Sequence, residues 1–222
     1  MSALTTRMLV LGVVRIFGPA NGYQLRRELL SWEVERWAHL NPGSIYSMLS
    51  TLEKQGAIDR HDLAAGEDAR AATVYTITES GGEEFLRLVR EAIATVPDTG
   101  DALPFRVALN FGPVLTRADF LAALERRADV LELGREYISR KAAQLADPPV
   151  VPPHVVSELG LEVALASAQL EWLEGFIAEV RGGALDFAGE PHGGWRPPAD
   201  DPGWRMAAER EDYLRRLGRA PA

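Results

Sequence analysis

The run Asn41-Pro42-Gly43-Ser44-Ile45-Tyr46-Ser47-Met48-Leu49-Ser50-Thr51-Leu52-Glu53-Lys54-Gln55-Gly56-Ala57-Ile58 limits what this chain can fold into more than any other stretch. Asn41 suits a helix N-cap, and Pro42 suits the first turn, where a missing N–H costs nothing. Ile45, Leu49 and Leu52 then recur at i, i+4 and i+7, so one stripe of the helix is apolar. Gly56 ends it, as a residue free to enter the left-handed region does. Gly43, Ser44 and Ser47 keep the opposite N-terminal surface small and polar, with Tyr46 as its one large side chain. A helix buried along one side and bare on the other can approach a groove closely, as a DNA-recognition helix does.

The flanking residues extend this pattern. Upstream, Thr5 to Phe17 carries Met8, Leu9, Leu11, Val13 and Ile16 and predicts a first helix, broken at Gly18-Pro19. Asn21-Gly22-Tyr23 opens a second, running through Leu25, Leu29 and Leu30. Downstream, Ala57-Ile58-Asp59-Arg60-His61 predicts a strand, and Leu63 to Ala72 a polar turn around Gly66. Thr73-Val74-Tyr75-Thr76-Ile77-Thr78 predicts a return strand rich in β-branched and aromatic residues. Tyr75 and Ile77 fall on one face of it, Val74 and Thr76 on the other, and Thr78-Glu79-Ser80 opens another helix. Helix, hairpin, helix is the order of a winged helix-turn-helix.

Several of these segments resemble the PadR-like family of winged helix-turn-helix transcriptional regulators. They are Met8-Leu9-Val10-Leu11-Gly12-Val13, Gly18-Pro19, Gly22-Tyr23-Gln24-Leu25, Pro42-Gly43-Ser44-Ile45-Tyr46, Leu49 with Leu52-Glu53, Gly56-Ala57-Ile58, and Tyr75-Thr76-Ile77-Thr78-Glu79-Ser80-Gly81. They stand in the family's order over roughly residues 4–92. No single tetrad is specific, whereas the ordered set is. The resemblance implies a homodimeric DNA-binding regulator, usually a repressor, with a helical C-terminal region for dimerisation. Leu103 to Arg106, Ser157-Glu158-Leu159-Gly160 and Leu170-Glu171-Trp172-Leu173 also resemble the C-terminal domain of that family.

The second half reads as long helices. Thr116 caps one that runs towards Ala146 with Leu121, Leu124, Ala128, Leu131, Ile138, Ala142 and Leu145 at 3–4 spacing, interrupted by Arg135. Pro148, Pro149, Pro152 and Pro153 end it. Val156, Leu159, Val163, Ala166, Leu170, Leu173, Ile177 and Val180 fit an a/d pattern over more than three heptads. The two form an antiparallel hairpin, either closed within one chain or with seams paired across a two-fold axis. The dimer reading assigns Leu124, Leu131, Ile138, Leu159, Val163, Leu170, Leu173 and Ile177 to the interface. After the break from Pro97 to Gly100, the chain is thus mainly α: a winged helix with a two-stranded β wing over 1–95, then a helical, coiled-coil-like dimerisation domain over 101–183. Residues 184–222 form a tail, dense in Gly and Pro from Gly189 to Pro202. A short helix from Gly203-Trp204-Arg205 to Leu217 follows, using Trp204, Ala208 and Leu214. It is expected to dock, since Trp195 and Trp204 are costly to leave wet.

Charge qualifies the DNA reading. The chain has a net charge of −8; residues up to Ala92 hold ten basic and twelve acidic residues. Phosphate contact therefore depends on placement, with Arg7, Arg15, Arg26, Arg27, Lys54, Arg60 and Arg70 as candidates. Glu67, Asp68 and Asp62 oppose them at the wing. The DNA-contacting set read from the sequence is Asn41, Gly43, Ser44, Tyr46, Ser47, Lys54, Arg60, Arg70 and Thr73. Each has a plainer explanation as a cap, a helix-start residue or a solvated charge. Trp32 and Trp37 read first as core; with Trp172 they otherwise suggest a pocket between the two domains for a small aromatic effector.

Other functions find less support. With no cysteine, disulfides and thiolate chemistry are excluded. His39, His61, His154 and His192 are scattered without an H-E-x-x-H pair, so no metal is expected, and no cofactor. Neither a G-x-x-x-x-G-K-S/T loop nor a G-x-S-x-G elbow is present, which argues against an enzyme. No apolar run approaches the ~20 residues of a membrane span, and no secretory signal is evident, so a soluble cytoplasmic protein is expected. The expected partners are double-stranded DNA at an inverted-repeat operator and a second copy of the chain. The alternative, prompted by the acidic charge, is a winged-helix protein-interaction module that does not bind DNA.

Overall fold

Apolar residues cover every side of the helix Ala3–Phe17 (α1), and Thr5, Thr6 and Met8 to Val14 are all buried, so α1 is the axis around which an N-terminal unit is packed. The computed structural model describes residues 3–65, 70–97, 101–147, 150–191, 198–201 and 203–218. Gly66, Glu67, Asp68, Gly100, Pro148, Pro149, His192, Trp195 and Pro202, named above, lie outside the described residues. The chain divides into two units: residues 1–89 with 106–111 and 195–222, and residues 90–105 with 112–194.

In the first unit, Ala20–Asn21 (β1) leads into Gly22–Ser31 (α2), and a single turn, Val34–Trp37 (α3), precedes Pro42–Lys54 (α4). Asn21 and Gln24 make a reciprocal capping box: Asn21 Oδ1 accepts from Gln24 N at 2.9 Å, and Gln24 Oε1 accepts from Asn21 N at 2.7 Å. Ile58–Leu63 (β2) and Ala72–Ile77 (β3) form the wing, paired antiparallel with Ile58 opposite Ile77 and Leu63 opposite Ala72. β1 adds a third, antiparallel strand on the other edge of β3, with Ala20 opposite Tyr75, giving the order β1-β3-β2. The sequence predicts only the two wing strands. Two residues carry no alternation to detect, and β1 exists because β3 offers an edge. Val74 and Thr76 are the buried face of β3. Glu79–Ala94 (α5) contributes Phe85, whose ring meets Phe111 of Leu103–Phe111 (α6) edge-on at 5.2 Å.

The helix Gly203–Arg216 (α9) belongs to this unit although it comes last in sequence. Met206, Tyr213 and Leu214 are its buried residues, while Trp204 is half exposed and Ala208 exposed. The buried side is therefore rotated away from the Trp204–Ala208 stripe. Polar anchors set the rotation. Tyr213 Oη accepts from Asn21 Nδ2 at 3.2 Å, Arg210 Nε donates to Gly18 O at 2.8 Å, and Gln24 Nε2 donates to Glu209. Both capping-box residues thus spend their remaining donors on α9.

The second unit is built on Arg117–Ala146 (α7) and Pro153–Arg181 (α8), which pack along each other. Thr116 caps α7 by accepting from Asp119 N at 3.1 Å. Leu124, Leu131, Leu159, Leu173 and Ile177 are buried within the one chain, and Ile138, Val163 and Leu170 are half-buried. Arg127 is buried over the Phe105 ring at 3.9 Å and donates to the carbonyls of Ile93 and Thr95. Desolvation lowers its pKa to about 10. No helix among the described residues is long and apolar enough to cross a membrane.

Candidate nucleic-acid interface

α4 starts where the sequence places it. Asn41 Oδ1 accepts from Gly43 N at 2.8 Å, Pro42 fills the first turn, and Gly56 beyond the end adopts φ +71°. Ile45, Leu49 and Leu52 are fully buried. The other side of the helix N-terminus is open, and a cavity of about 480 Å³ lies along it, lined by Thr6, Asn41, Gly43, Ser44, Ser47, Met48 and Thr51. Four of the residues named from sequence, Asn41, Gly43, Ser44 and Ser47, meet in this one groove. Thr51 was not among them. Its signal was its place one turn beyond Ser47, on the same face.

The hydroxyls in the groove are partly committed. Ser47 Oγ donates to Gly43 O at 3.2 Å and Thr51 Oγ1 to Ser47 O at 2.9 Å. Each oxygen retains lone pairs, so these hydroxyls face solvent mainly as acceptors, for which water and base amino groups are the matching donors. Tyr46 stands beside them, 46% exposed, with its ring against Gly22 at the start of α2.

The cations divide into free and spent. Lys54 and Arg70 are exposed. Arg7 is spent on structure: it grips Glu84 through Nε at 2.7 Å and Nη2 at 2.6 Å, and gives Nη1 to Gln55. Hydrogen bonding from Arg7 holds the Glu84 carboxyl below the usual glutamate range. Arg60 and Thr73, both named for DNA contact, converge instead on Asp62. Thr73 Oγ1 donates to Asp62 Oδ1 at 2.6 Å and Arg60 Nη2 to the same oxygen at 3.1 Å. The Thr73 hydroxyl, and then Arg60, lower the pKa of Asp62, so it stays ionised and keeps Arg60 engaged. Sequence reasoning counted Asp62 as a nearby opposing charge and missed that it holds two of the proposed contacts.

The turn end of the wing is pinned from α9: Arg216 Nη2 donates to Ala64 O at 2.8 Å and to Arg70 O at 3.2 Å. One guanidinium therefore ties together the two limbs that flank the wing turn. Among the sequence-named aromatics, Trp32 and Trp37 lie in the first unit and Trp172 in the second. Trp32 packs between Phe17 and Phe111 at 6.3 and 5.9 Å. Trp37 Nε1 donates to Trp32 O at 2.7 Å, and the Arg106 guanidinium sits 5.5 Å from the Trp37 ring centre. A cavity of about 370 Å³ is lined by Trp37, Arg106, Leu109 and Asn110. Trp172 stacks on Phe176 at 4.9 Å and meets Phe105 edge-on at 6.1 Å. No cluster of His, Asp and Glu that could hold a metal occurs among the described residues.

Residues 10–87 match the family described as the transcriptional regulator PadR-like family. No curated protein matches the chain. Among solved structures, Bacillus subtilis PadR in complex with operator DNA is 20% identical over 78% of this chain and 98% of that one, with a TM-score of 0.34. The protein smu.1604c from Streptococcus mutans UA159 is 21% identical over 80% of this chain and 99% of its own, with a TM-score of 0.33.

Proposed function

We propose, from a chain whose residues 10–87 form a domain of the PadR-like family of transcriptional regulators, that this protein binds operator DNA as a homodimer, represses transcription, and is released by a small aromatic effector. The observation that carries the reading is the division of α4. Ile45, Leu49 and Leu52 are sealed in the core, while Asn41, Gly43, Ser44, Ser47 and Thr51 line an open polar groove beside exposed Tyr46. A helix so thin on its outer face fits a major groove about 12 Å wide. With the Ser47 and Thr51 protons given to the helix, the hydroxyls there suit bridging water, base amino groups and DNA shape more than phosphate oxygens.

Phosphate attraction at α4 and the wing is modest, since Arg7 and Arg60 are engaged elsewhere and Lys54 and Arg70 are the exposed cations there. Two copies reading half-sites about 34 Å apart would double it. The helical unit offers surface for that pairing. Val130, Leu133 and Tyr137 on α7 and Leu161, Leu165 and Trp172 on α8 are exposed at helical spacings. Two stripes of large apolar residues on one helical pair are more than scattered exposure. For the effector, a flat ring bearing an acid group would stack on Trp37 and pair with Arg106. Trp37 sits in α3, one short step before the α4 cap.

Fluorescence anisotropy with a labelled duplex from the chain's own upstream region, at several salt concentrations, tests the reading. Binding that weakens with salt, with the shallow slope that few phosphate contacts give, and fails when Tyr46→Ala is introduced, is the expected result. A protein-interaction module, favoured by the hold of Asp62 on Arg60, would bind no duplex even at low salt.

A further inference from the structure

A cavity of about 590 Å³ opens where α2, the turn end of the wing and α9 come together. Its cations are Arg27 from α2, Arg70 from the wing, and Arg205 and Arg216 from α9; its carboxylates are Glu209 and Asp212. Both carboxylates are occupied. Glu209 accepts from Gln24, and Asp212 pairs with Arg215 at 3.3 Å and Arg216 at 3.5 Å. Arg27 is the opposite case: its Nη2 is closed off from water and has no hydrogen-bond partner among the described residues. A guanidinium donor left unmatched is costly, and a turn of the Arg27 side chain towards an acceptor in the cavity would remove that cost. Arg216 is engaged with Ala64, Arg70 and Asp212, which leaves the guanidinium groups of Arg27, Arg70 and Arg205 around one opening, the planar forks that phosphate oxygens accept best.

We propose that this cavity binds a phosphate-class anion, and that in the working protein the anion is a backbone phosphate of the bound duplex. The proposal rests on the DNA-binding reading and deepens it, because it makes α9 part of the DNA-contacting surface. Position favours the duplex. Tyr23, 62% exposed, lines the cavity, and its neighbour Gly22 carries the Tyr46 ring. The opening thus continues the surface of α4. The same chemistry could be met by a free phosphorylated molecule, and the experiment separates the two sources.

The unmodified protein and the variants Arg27→Gln and Arg205→Gln are compared. Arg205 is exposed and Arg27 Nη2 is unpartnered, so neither substitution removes an anchor of α9; unchanged melting temperatures check this. In one arm, affinity for the upstream duplex is measured against salt. In the other, DNA-free protein is titrated with pyrophosphate and its melting temperature followed. The expected result is a salt slope shallower by about 0.9 for each phosphate contact removed, with weaker binding in both variants. If the slopes are unchanged but pyrophosphate stabilises only the unmodified protein, the site stands and its ligand is a free anion. If neither measurement separates the variants from the unmodified protein, the proposal is overturned. If the unmodified protein binds no duplex at any salt, the regulator reading fails, and the pyrophosphate arm alone decides the cavity.

Discussion

Tyr46 rests its ring on the bare backbone of Gly22: a side-chain carbon on that glycine would lie 3.0 Å from Tyr46 Cε1 and 3.5 Å from Cδ1. The start of α2 thereby sets the height at which the one large side chain of the outer face of α4 stands.

Gly22→Ala tests that support. The added methyl must push the ring by a few tenths of an ångström, and a ring 46% exposed can give way. Stability should change by less than about 1 kcal/mol, while affinity for the upstream duplex falls several-fold. Thermal melts beside anisotropy make the check; equal affinity would mean that the position of Tyr46 does not matter to binding.

Asp62→Ala releases two side chains at once. Arg60 and Thr73 lose their shared acceptor, and the wing gains a free cation. DNA binding should tighten, with a salt slope steeper by about 0.9 if Arg60 finds one phosphate. The substitution lies on the exposed face of the hairpin, so the melting temperature should hold. An unchanged slope would place Arg60 out of reach of the duplex.

Leu133→Glu combined with Leu165→Glu should leave a folded monomer by light scattering, because both side chains are exposed in the single chain. Leu173→Glu tests something else. That residue is 1% exposed inside the hairpin, and a charge there should cost about 3 kcal/mol or more through burial without a partner. A dimer that survives the double substitution would remove the proposed stripes from the interface.

Acid should weaken the N-terminal unit through Glu84. Hydrogen bonding from Arg7 lowers its folded-state pKa below 4.5. Its contribution is therefore complete above the unfolded value and is lost as pH falls through the folded one. Glu84→Gln should lower stability by about 1–2 kcal/mol at neutral pH and by much less at pH values below the folded pKa. Urea melts across that range would show the difference shrinking; a constant difference would assign the loss to packing.

Gly81→Ala should be the most damaging small change. A side-chain carbon there would fall 1.9 Å from Ala57 O, the carbonyl that also accepts from Thr78 N at 3.2 Å. Backbone cannot yield as a side chain does, so a loss of about 3 kcal/mol is expected, read from denaturant unfolding.

α4 was legible because cap, first-turn proline, apolar stripe and terminating glycine all lie within sixteen residues, Asn41 to Gly56. The wing strands were legible for the same reason, since alternation is a local signal. What stayed hidden depended on residues far apart. β1 is two residues long and is defined by its pairing with Tyr75 and Val74. α3 is a single turn. The rotation of α9 follows from bonds to Gly18, Asn21 and Gln24, which no pattern within residues 203–216 announces. On α7 and α8 the heptads identified the apolar sides correctly but not what covers them. Leu124, Leu131, Leu159, Leu173 and Ile177 are covered by their own chain. At the candidate site, charges could be counted from sequence; that Asp62 would hold both Arg60 and Thr73 could not, because Thr73 is on the opposite strand.

The hold of α9 on Gly18, Asn21 and the turn end of the wing has a consequence for how the protein is made. Once residue 95 has left the ribosome, all three strands and helices α1 to α5 are free to fold, yet the hydrogen-bonding groups of Gly18, Asn21 and Gln24 must wait until residues 209–213 emerge. Maturation of the N-terminal unit is therefore tied to synthesis of α9, and a fragment cut after the wing would carry an unfinished surface.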